Sequence, residues 1–594
     1  MNLKQNIFSK DINVDVLISI AFGGTVFVFF ACFYPFHLHY QEQEQLFLFS
    51  GDYFNDYLSR PGGISNYIGN FFTQFYFYAW VGAIIIAVFL TALQRMLWLT
   101  MRKFEDHNLF LPLSFVPSII YWSLLCDENF LLGGLIAFLF VALFNFVYTL
   151  IKPAGARSVV LLFLLPVIYW LAGGAFVFAL LFALTWELAV KQLKYKHILL
   201  LGFVNLIVTG AVPVIAEKFF LQYPVKRIRI GVDYFRFPEI FFPEIVLTGI
   251  LVGITPLITY IISKRFKPRN KALVVALQLL IILPGSYKIF NKFTDIQKEE
   301  VMAYDFNVRM RRWDNVIAMA DKKTPKSPLS VTCLNLALAQ QNMLGEKMFK
   351  YYQNGVQGLL PDFTRDYTIP MITGEVYYHL GLINVAQRFA FEAMEALPDY
   401  QKSVRSIKRL AETNLINGSY AVSKKYLKLL QKTFYYKKWA DRTLELMQNE
   451  NLINAHPEWG WLRQCRVTED FLFSEDERDM MLGLLFTQNK KNQKAFEYLL
   501  AYCLLTKDLK HFWQYFPMGQ SFYTQHIPGN FQEALVYYWT TINKEPSKQI
   551  PFPISKQTQN RIAAYHNIYV NNMNAEPLLR KSYSDSYWYY YQFR

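Results

Sequence analysis

Cysteine is scarce in this 594-residue chain, and Cys32, Cys126, Cys333, Cys465 and Cys503 are scattered, with no CxxC and no neighbouring histidine at metal-ligand spacing. Neither a metal-thiolate centre nor a disulfide framework is expected. A Walker loop, an HExxH, a GxSxG and a dinucleotide fingerprint are also missing, which leaves ATPase, zinc protease and serine hydrolase readings without support. Charge is thin up to about Ile289, whereas Lys, Glu, Gln and Asn are abundant after it.

What is present is apolar and aromatic. Mean hydropathy is +0.15 and 18% of residues are Phe, Trp or Tyr, values that shift the class toward membrane proteins. At roughly 100–200 residues per domain the chain is also too long for one unit. These observations predict an all-α protein with a polytopic membrane domain over residues 1–292 and a soluble helical domain over 293–594.

Apolar stretches run over 14–36, 73–99, 109–125, 130–151, 158–173, 175–190, 197–216, 243–263 and 272–290, about nine spans, some near the lower limit of roughly 17 residues for crossing a bilayer. The pair around Gly173-Gly174 reads either as two full crossings or as two short helices bent at the glycines. Lys4 and Lys10 precede the first run in the manner of a secretory signal. The run is too long for a signal core and no A-x-A site follows, so an uncleaved membrane helix is expected.

The net charge of +15 is explained by topology rather than by nucleic acid. Lys4, Lys10, Arg95, Arg102, Lys103, Lys152, Arg157, Lys191, Lys194, Lys196, Lys264, Arg265, Lys267, Arg269 and Lys271 all fall on one side of the spans. The other side has Arg60, Lys218, Lys226, Arg227, Arg229 and Arg236 in longer loops. Positive-inside bias then predicts a cytoplasmic N-terminus and, with an odd number of spans, a periplasmic C-terminal half at the inner membrane of a Gram-negative cell. Glu187, in "FALLFALTWELAV", is either an intramembrane functional group or a side chain that snorkels beside Lys191.

Beyond about Asn291 apolar residues recur at i, i+3 and i+4. "RMRRWDNVIAMADK", "MLGEKMFKYY", "HLGLINVAQRFAFEAMEALP" and "LINGSYAVSKKYLKLL" place turns at Arg309, Gly345, Gly381 and Gly418, steps of 36, 36 and 37 residues. Such a period predicts stacked helix pairs, an α-solenoid that either binds a protein partner or shields the membrane half. The stretch Tyr377–Pro398, with Leu380-Gly381, Ala386, Ala390, Ala393 and Pro398, resembles a degenerate tetratricopeptide repeat. "NKKNQKAFEYLLAY" and "PGNFQEALVYYW" look like further repeat turns. The tail "SYSDSYWYYYQFR" could stack on sugar, enter the membrane surface or pack back onto the solenoid.

Polar residues gather in the loops assigned to the exported side. "GDYFNDYLSRPGG" reads as a short amphipathic interfacial helix that starts at Ser50 or Gly51 and stops at Pro61-Gly62-Gly63. Asp52, Asp56 and Arg60 then share one face, either as an i,i+4 charge ladder worth about 0.2–0.5 kcal/mol or as one wall of an active site. The turn "CDENF" adds Asp127 and Glu128, and "EKFFLQYPVKRIRIGVDYFRFPE" adds Lys226, Arg227 and Arg229.

Acidic exported loops, many spans and an exported helical domain together resemble the GT-C superfamily of membrane glycosyltransferases. The whole chain also resembles an uncharacterised family of bacterial polytopic membrane proteins with helical-repeat tails. The GT-C resemblance implies a sugar transferred from a polyprenyl-phosphate donor to a protein or glycan acceptor recruited by the helical repeats. It implies a loop carboxylate (Asp52 or Asp56, with Asp127 or Glu128) acting as base or as ligand of a divalent cation, and Lys226, Arg227 and Arg229 on the phosphate. In that superfamily the first-loop acids are adjacent or nearly so, whereas Asp52 and Asp56 stand four apart. The competing expectation is a non-enzymatic membrane scaffold whose repeats recruit envelope or secretion partners.

Overall fold

A computed structural model of the chain describes residues 14–103, 108–190, 195–219, 221, 224–265, 271–399, 401–467, 473–542 and 549–594. Of the charges used for the topology, Lys4, Lys10, Lys191, Lys194, Lys267 and Arg269 lie outside the described residues. The protein is all-helical, and the chain divides into one compact unit of residues 1–296 with 432–435 and a second of residues 297–431 with 436–594.

In the first unit the helices are α1 (Val14–Val28), α2 (Pro35–Gln43), α3 (Gly51–Leu58), α4 (Gly63–Thr73), α5 (Ala79–Met101), α6 (Leu111–Leu124), α7 (Leu132–Leu150), α8 (Ala154–Ala172), α9 (Phe176–Val190), α10 (Tyr195–Phe219), α11 (Val225–Ile230), α12 (Pro243–Arg265) and α13 (Lys271–Phe293). Seven helical stretches among the described residues are long and apolar enough to cross a membrane. No residue of the most apolar window in Ala272–Phe293 is buried within the protein, and Leu280 and Ile281 are 68% and 75% exposed. Surfaces of that kind are stable only against hydrocarbon or a partner.

The nine stretches marked in the sequence each form a helix, and they become seven by this measure for two reasons. Helix α6 has 14 residues and covers about 21 Å, short of the roughly 30 Å hydrocarbon core. The run Ala154–Ala189 is continuous in helical length, yet it turns on itself at Gly173 (φ +55°). Arg157 and Glu187 establish the reversal, because Arg157 Nε donates to Glu187 Oε1 at 2.5 Å and Nη2 to Oε2 at 2.9 Å. A straight helix would hold residues thirty apart at about 45 Å.

That ion pair also accounts for Glu187. Its carboxylate and the Arg157 guanidinium are buried, and Tyr148 Oη donates to Oε1 at 3.0 Å. Arg157 Nη1 donates to the carbonyls of Ile151 and Lys152 at 3.0 and 2.8 Å. The group is a satisfied clasp on the α8–α9 hairpin rather than a snorkelling side chain.

The second unit begins with α14 (Ile296–Arg309), α15 (Trp313–Lys322), α16 (Pro328–Gln340), α17 (Leu344–Lys347), α18 (Thr368–Leu380), α19 (Ile383–Glu395), α20 (Val404–Ile416), α21 (Tyr420–Leu430) and α22 (Lys437–Leu446). Turns recur on one plan. Arg311, Asn342, Gly381, Gly418 and Lys507 adopt positive φ, and the amide after each reaches back five residues, to Asn307, Leu338, Tyr377, Asn414 and Cys503, at 2.7–2.9 Å. This is the Schellman closure that satisfies the last carbonyls of a helix. Only two of the five positions are glycine, which is why the turns expected at Arg309 and Gly345 fall two and three residues away.

The aromatic tail packs inward. Tyr587 and Trp588 are fully buried, Trp588 Nε1 donates to the Glu533 carbonyl at 2.9 Å, and the Tyr587 amide donates to Glu533 Oε2 at 2.7 Å. Burial pushes the Glu533 carboxyl up to about 8, with the Arg561 charge opposing the rise. Of the three uses open to the tail, packing onto its own helical unit is the one realised.

Candidate functional site

The stretch Gly51–Gly63 behaves as a capped helix. Ser50 Oγ accepts the Tyr53 amide at 3.4 Å, and Asp52 lies in the first turn of α3, where the helix dipole favours a negative charge. Phe54 and Leu58 are exposed at 37% and 43%, as an interfacial helix requires. Asp52 and Asp56 are exposed too. Arg60 does not extend the ladder expected with Asp56; its guanidinium lies 4.5 Å over the Tyr57 ring.

Pro61-Gly62-Gly63 does more than end the helix. Gly62 takes φ +70° and its amide donates to the Trp170 carbonyl at 2.9 Å. Gly173 (φ +55°) and Gly231 (φ +70°) converge on the same point from two other loops. A methyl on Gly231 would stand 2.8 Å from the Pro61 carbonyl oxygen and 2.9 Å from Gly173 Cα, and one on Gly62 would stand 2.7 Å from the Gly231 carbonyl carbon. Only glycine allows both the backbone conformation and the approach. The junction therefore sets α3, the α8–α9 hairpin and α11 against one another.

The basic loop is organised by that contact. Arg227 Nη1 lies 3.2 Å from Asp233 Oδ1. Asn66 holds Asp233 from α4, donating Nδ2 to Oδ2 at 2.9 Å and accepting the Asp233 amide at 3.0 Å. Lys226 and Arg229 are exposed, with Lys226 3.8 Å from Glu239.

Beside them opens a cavity of about 600 Å³. Apolar side chains from α9, α10 and α12, among them Phe176, Phe178, Leu206, Pro213 and Ile245, form its walls, while Lys226, Arg227, Arg229 and Asp233 supply the polar lining. A space of this size fits a small ligand or the first units of a lipid chain, and the cations suit an anionic head, which arginine grips through a planar fork.

A second polar cluster sits on the same segment. Val232, Asp233, Tyr234 and Phe235 line the cavity, and the next residue, Arg236, is buried against Glu44, Nη2 to Oε2 3.0 Å. The Arg236 amide donates to the Asn129 carbonyl at 2.7 Å and the Leu131 amide to the Tyr234 carbonyl at 2.9 Å. The turn carrying Asp127 and Glu128 is thereby pinned to this segment. Gln41 adds bonds from α2 to the carbonyls of Glu128 and Phe130 at 3.1 and 3.0 Å. Asp127 Oδ1 accepts the Asn129 amide at 2.9 Å. Burial pushes the Glu44 carboxyl up to about 7 against the pull of Arg236, and the charges of Glu128 and Asp127 add to the rise.

Of the residues singled out from the sequence, Lys226, Arg227 and Arg229 meet at the cavity. Asp127 and Glu128 join Glu44 and Arg236. Asp52 and Asp56 stay on exposed α3 and do not line that cavity. Asp233, Asn66, Glu44 and Arg236 were not singled out. Glu42 and Glu44 form a near-adjacent acidic pair, a signal present in "QEQEQ", but nothing local distinguishes Asp233 or Asn66. Among the described residues no group of three or more His, Cys, Asp or Glu is arranged to hold a metal ion.

Long lipid-exposed helices, a cationic cavity at their ends and a second, helical unit define a multi-pass membrane protein with a helical C-terminal part. The chain belongs to the family of unknown function DUF6057, which it matches over residues 10–594. No curated protein and no solved structure matches it.

Proposed function

We propose that the chain is an integral membrane glycosyltransferase of GT-C type that takes sugar from a polyprenyl-phosphate donor at the exported face of the inner membrane. In this reading α6, lengthened by the turn Asn108–Phe110, and both arms of the α8–α9 hairpin cross with the other helices, nine spans in all, so the N-terminus lies in the cytoplasm and the helical C-terminal part in the periplasm, where its helix pairs recruit the acceptor. The observation that carries this reading is the cavity of about 600 Å³, apolar along α9, α10 and α12 and cationic at Lys226, Arg227 and Arg229. Hydrocarbon wall and phosphate-binding head occur together.

In this reading the acceptor oxygen attacks the anomeric carbon and the bond to the donor phosphate breaks. The phosphate leaves with the electron pair, and the cations stabilise the developing charge. The proton passes to the acidic cluster of Glu44, Asp127 and Glu128, which Arg236 ties to the segment that lines the cavity. Glu42 and Glu44 supply the near-adjacent first-loop acids that Asp52 and Asp56 do not. Asp233 and Asn66 position Arg227.

The test uses the full chain in detergent with a polyprenyl phosphate and the corresponding polyprenol as probes, read by native mass spectrometry. Roughly tenfold tighter binding of the phosphate is expected, with the preference lost in a Lys226→Gln, Arg227→Gln, Arg229→Gln variant. Equal affinity for both lipids would sink the reading. Intact function after neutral replacement of Glu44, Asp127 and Glu128, together with loss on changes to the helical repeats, would favour the scaffold.

A further inference from the structure

The second unit carries a patch of cations that its own fold does not use. Lys424, Lys425 and Lys428 lie on α21, and Lys437, Lys438 and Arg442 on α22, all exposed. The two helices are consecutive and packed together. No acidic residue occurs between Glu412 and Asp441. Among the described residues none of the six side chains takes part in an ion pair.

The placement works against helix stability. Lys424 and Lys428 are four apart, where like charges repel. Lys437 and Lys438 open α22, at the helix end whose dipole already disfavours a cation. The N-cap Tyr436 makes no side-chain cap bond and the first turn has no acidic residue. Local rules broken on a solvent face without internal compensation mark a surface shaped by something outside the chain.

We propose that the α21–α22 face binds the headgroups of anionic phospholipids. Charge complementarity calls for an anionic surface, and every copy of a membrane-spanning chain adjoins a bilayer, whose anionic phospholipids attract surface lysines on whichever leaflet they lie. The composition favours lipid over nucleic acid. Five of the six cations are lysines, point charges on flexible stems that suit a fluid array of headgroups, whereas nucleic-acid sites draw on arginine forks and stacked aromatics.

The experiment compares full-length protein in nanodiscs of phosphatidylcholine alone and of phosphatidylcholine with phosphatidylglycerol, by hydrogen–deuterium exchange. Because each surface cation adds a modest, salt-sensitive increment, exchange over residues 420–446 is expected to slow roughly tenfold in the anionic discs and to recover at high salt. The slowing disappears in a Lys424→Gln, Lys425→Gln, Lys428→Gln, Lys437→Gln, Lys438→Gln variant and persists when the exposed Lys490 and Lys491 are changed to Gln instead. Equal exchange in the two bilayers overturns the proposal. So does protection by soluble heparin or RNA in zwitterionic discs that anionic lipid fails to reproduce.

Discussion

Replacing Gly231 by alanine drives a methyl group into the junction of three loops. The backbone there has φ +70° and ψ −46°, outside the left-handed helical well, and such sparsely populated conformations cost an L-residue about 1–3 kcal/mol. The methyl would meet Pro61 O at 2.8 Å and Gly173 Cα at 2.9 Å, backbone atoms that cannot rotate away as a flexible side chain would. Overpacking of this kind adds about 1–3 kcal/mol, for a total of roughly 2–6 kcal/mol. Gly51→Ala is the matched control, because a methyl at Gly51 meets nothing within 4 Å. Thermal unfolding of the full chain in detergent, followed by tryptophan fluorescence, is expected to fall by several degrees for Gly231→Ala and to stay level for Gly51→Ala. Gly62→Ala strains the same contact from the other side, so the double variant should lose less than the sum of the singles. If Gly231→Ala unfolds with Gly51→Ala, the three glycines do not form a rigid junction and the placement of Arg227 beside the cavity loses its structural basis.

Two further predictions rest on buried charge. Arg157→Ala leaves the Glu187 carboxyl buried without its partner in an apolar hairpin and should destabilise the fold by about 3–5 kcal/mol, whereas Arg157→Met with Glu187→Leu should recover most of that loss; denaturation of the three proteins in detergent distinguishes them. Glu533 has its folded pKa raised to about 8, so the folded state keeps a proton that the unfolded chain releases near the ordinary carboxylate value. Its contribution therefore weakens as pH rises from about 4.5 to 8, and Glu533→Gln should match the parent at about pH 4 and melt higher at pH 9. A constant difference across that range would show that the group does not titrate with unfolding.

Much of this architecture is legible along the chain because hydropathy and helix period are local properties. A stretch such as Lys271–Phe293 is long enough to span whatever surrounds it, and "GDYFNDYLSRPGG" contains its own cap, its own polar face and its own stop. The basic run Lys226–Arg229 was legible for the same reason, since three cations in four residues stay close together wherever the loop goes. Turns closed by Arg311, Asn342 and Lys507 were not placed with that accuracy, because their left-handed residues are not glycine and the hydrogen bond, rather than composition, selects them.

Sequence by itself determined that this is an all-helical chain with an apolar first half and a helical second half, since those follow from the 1.5 Å rise per residue and the spacing of apolar side chains. The tertiary structure alone decided that Glu187 belongs to Arg157 and that Glu44 meets Arg236. It likewise decided that Asp233, rather than Asp52 or Asp56, shares the cavity with the cations. Each of these joins residues from different elements, 30 to 192 positions apart in the pairs named. The energy of a buried charge depends on what surrounds it in space, which no local window of sequence contains.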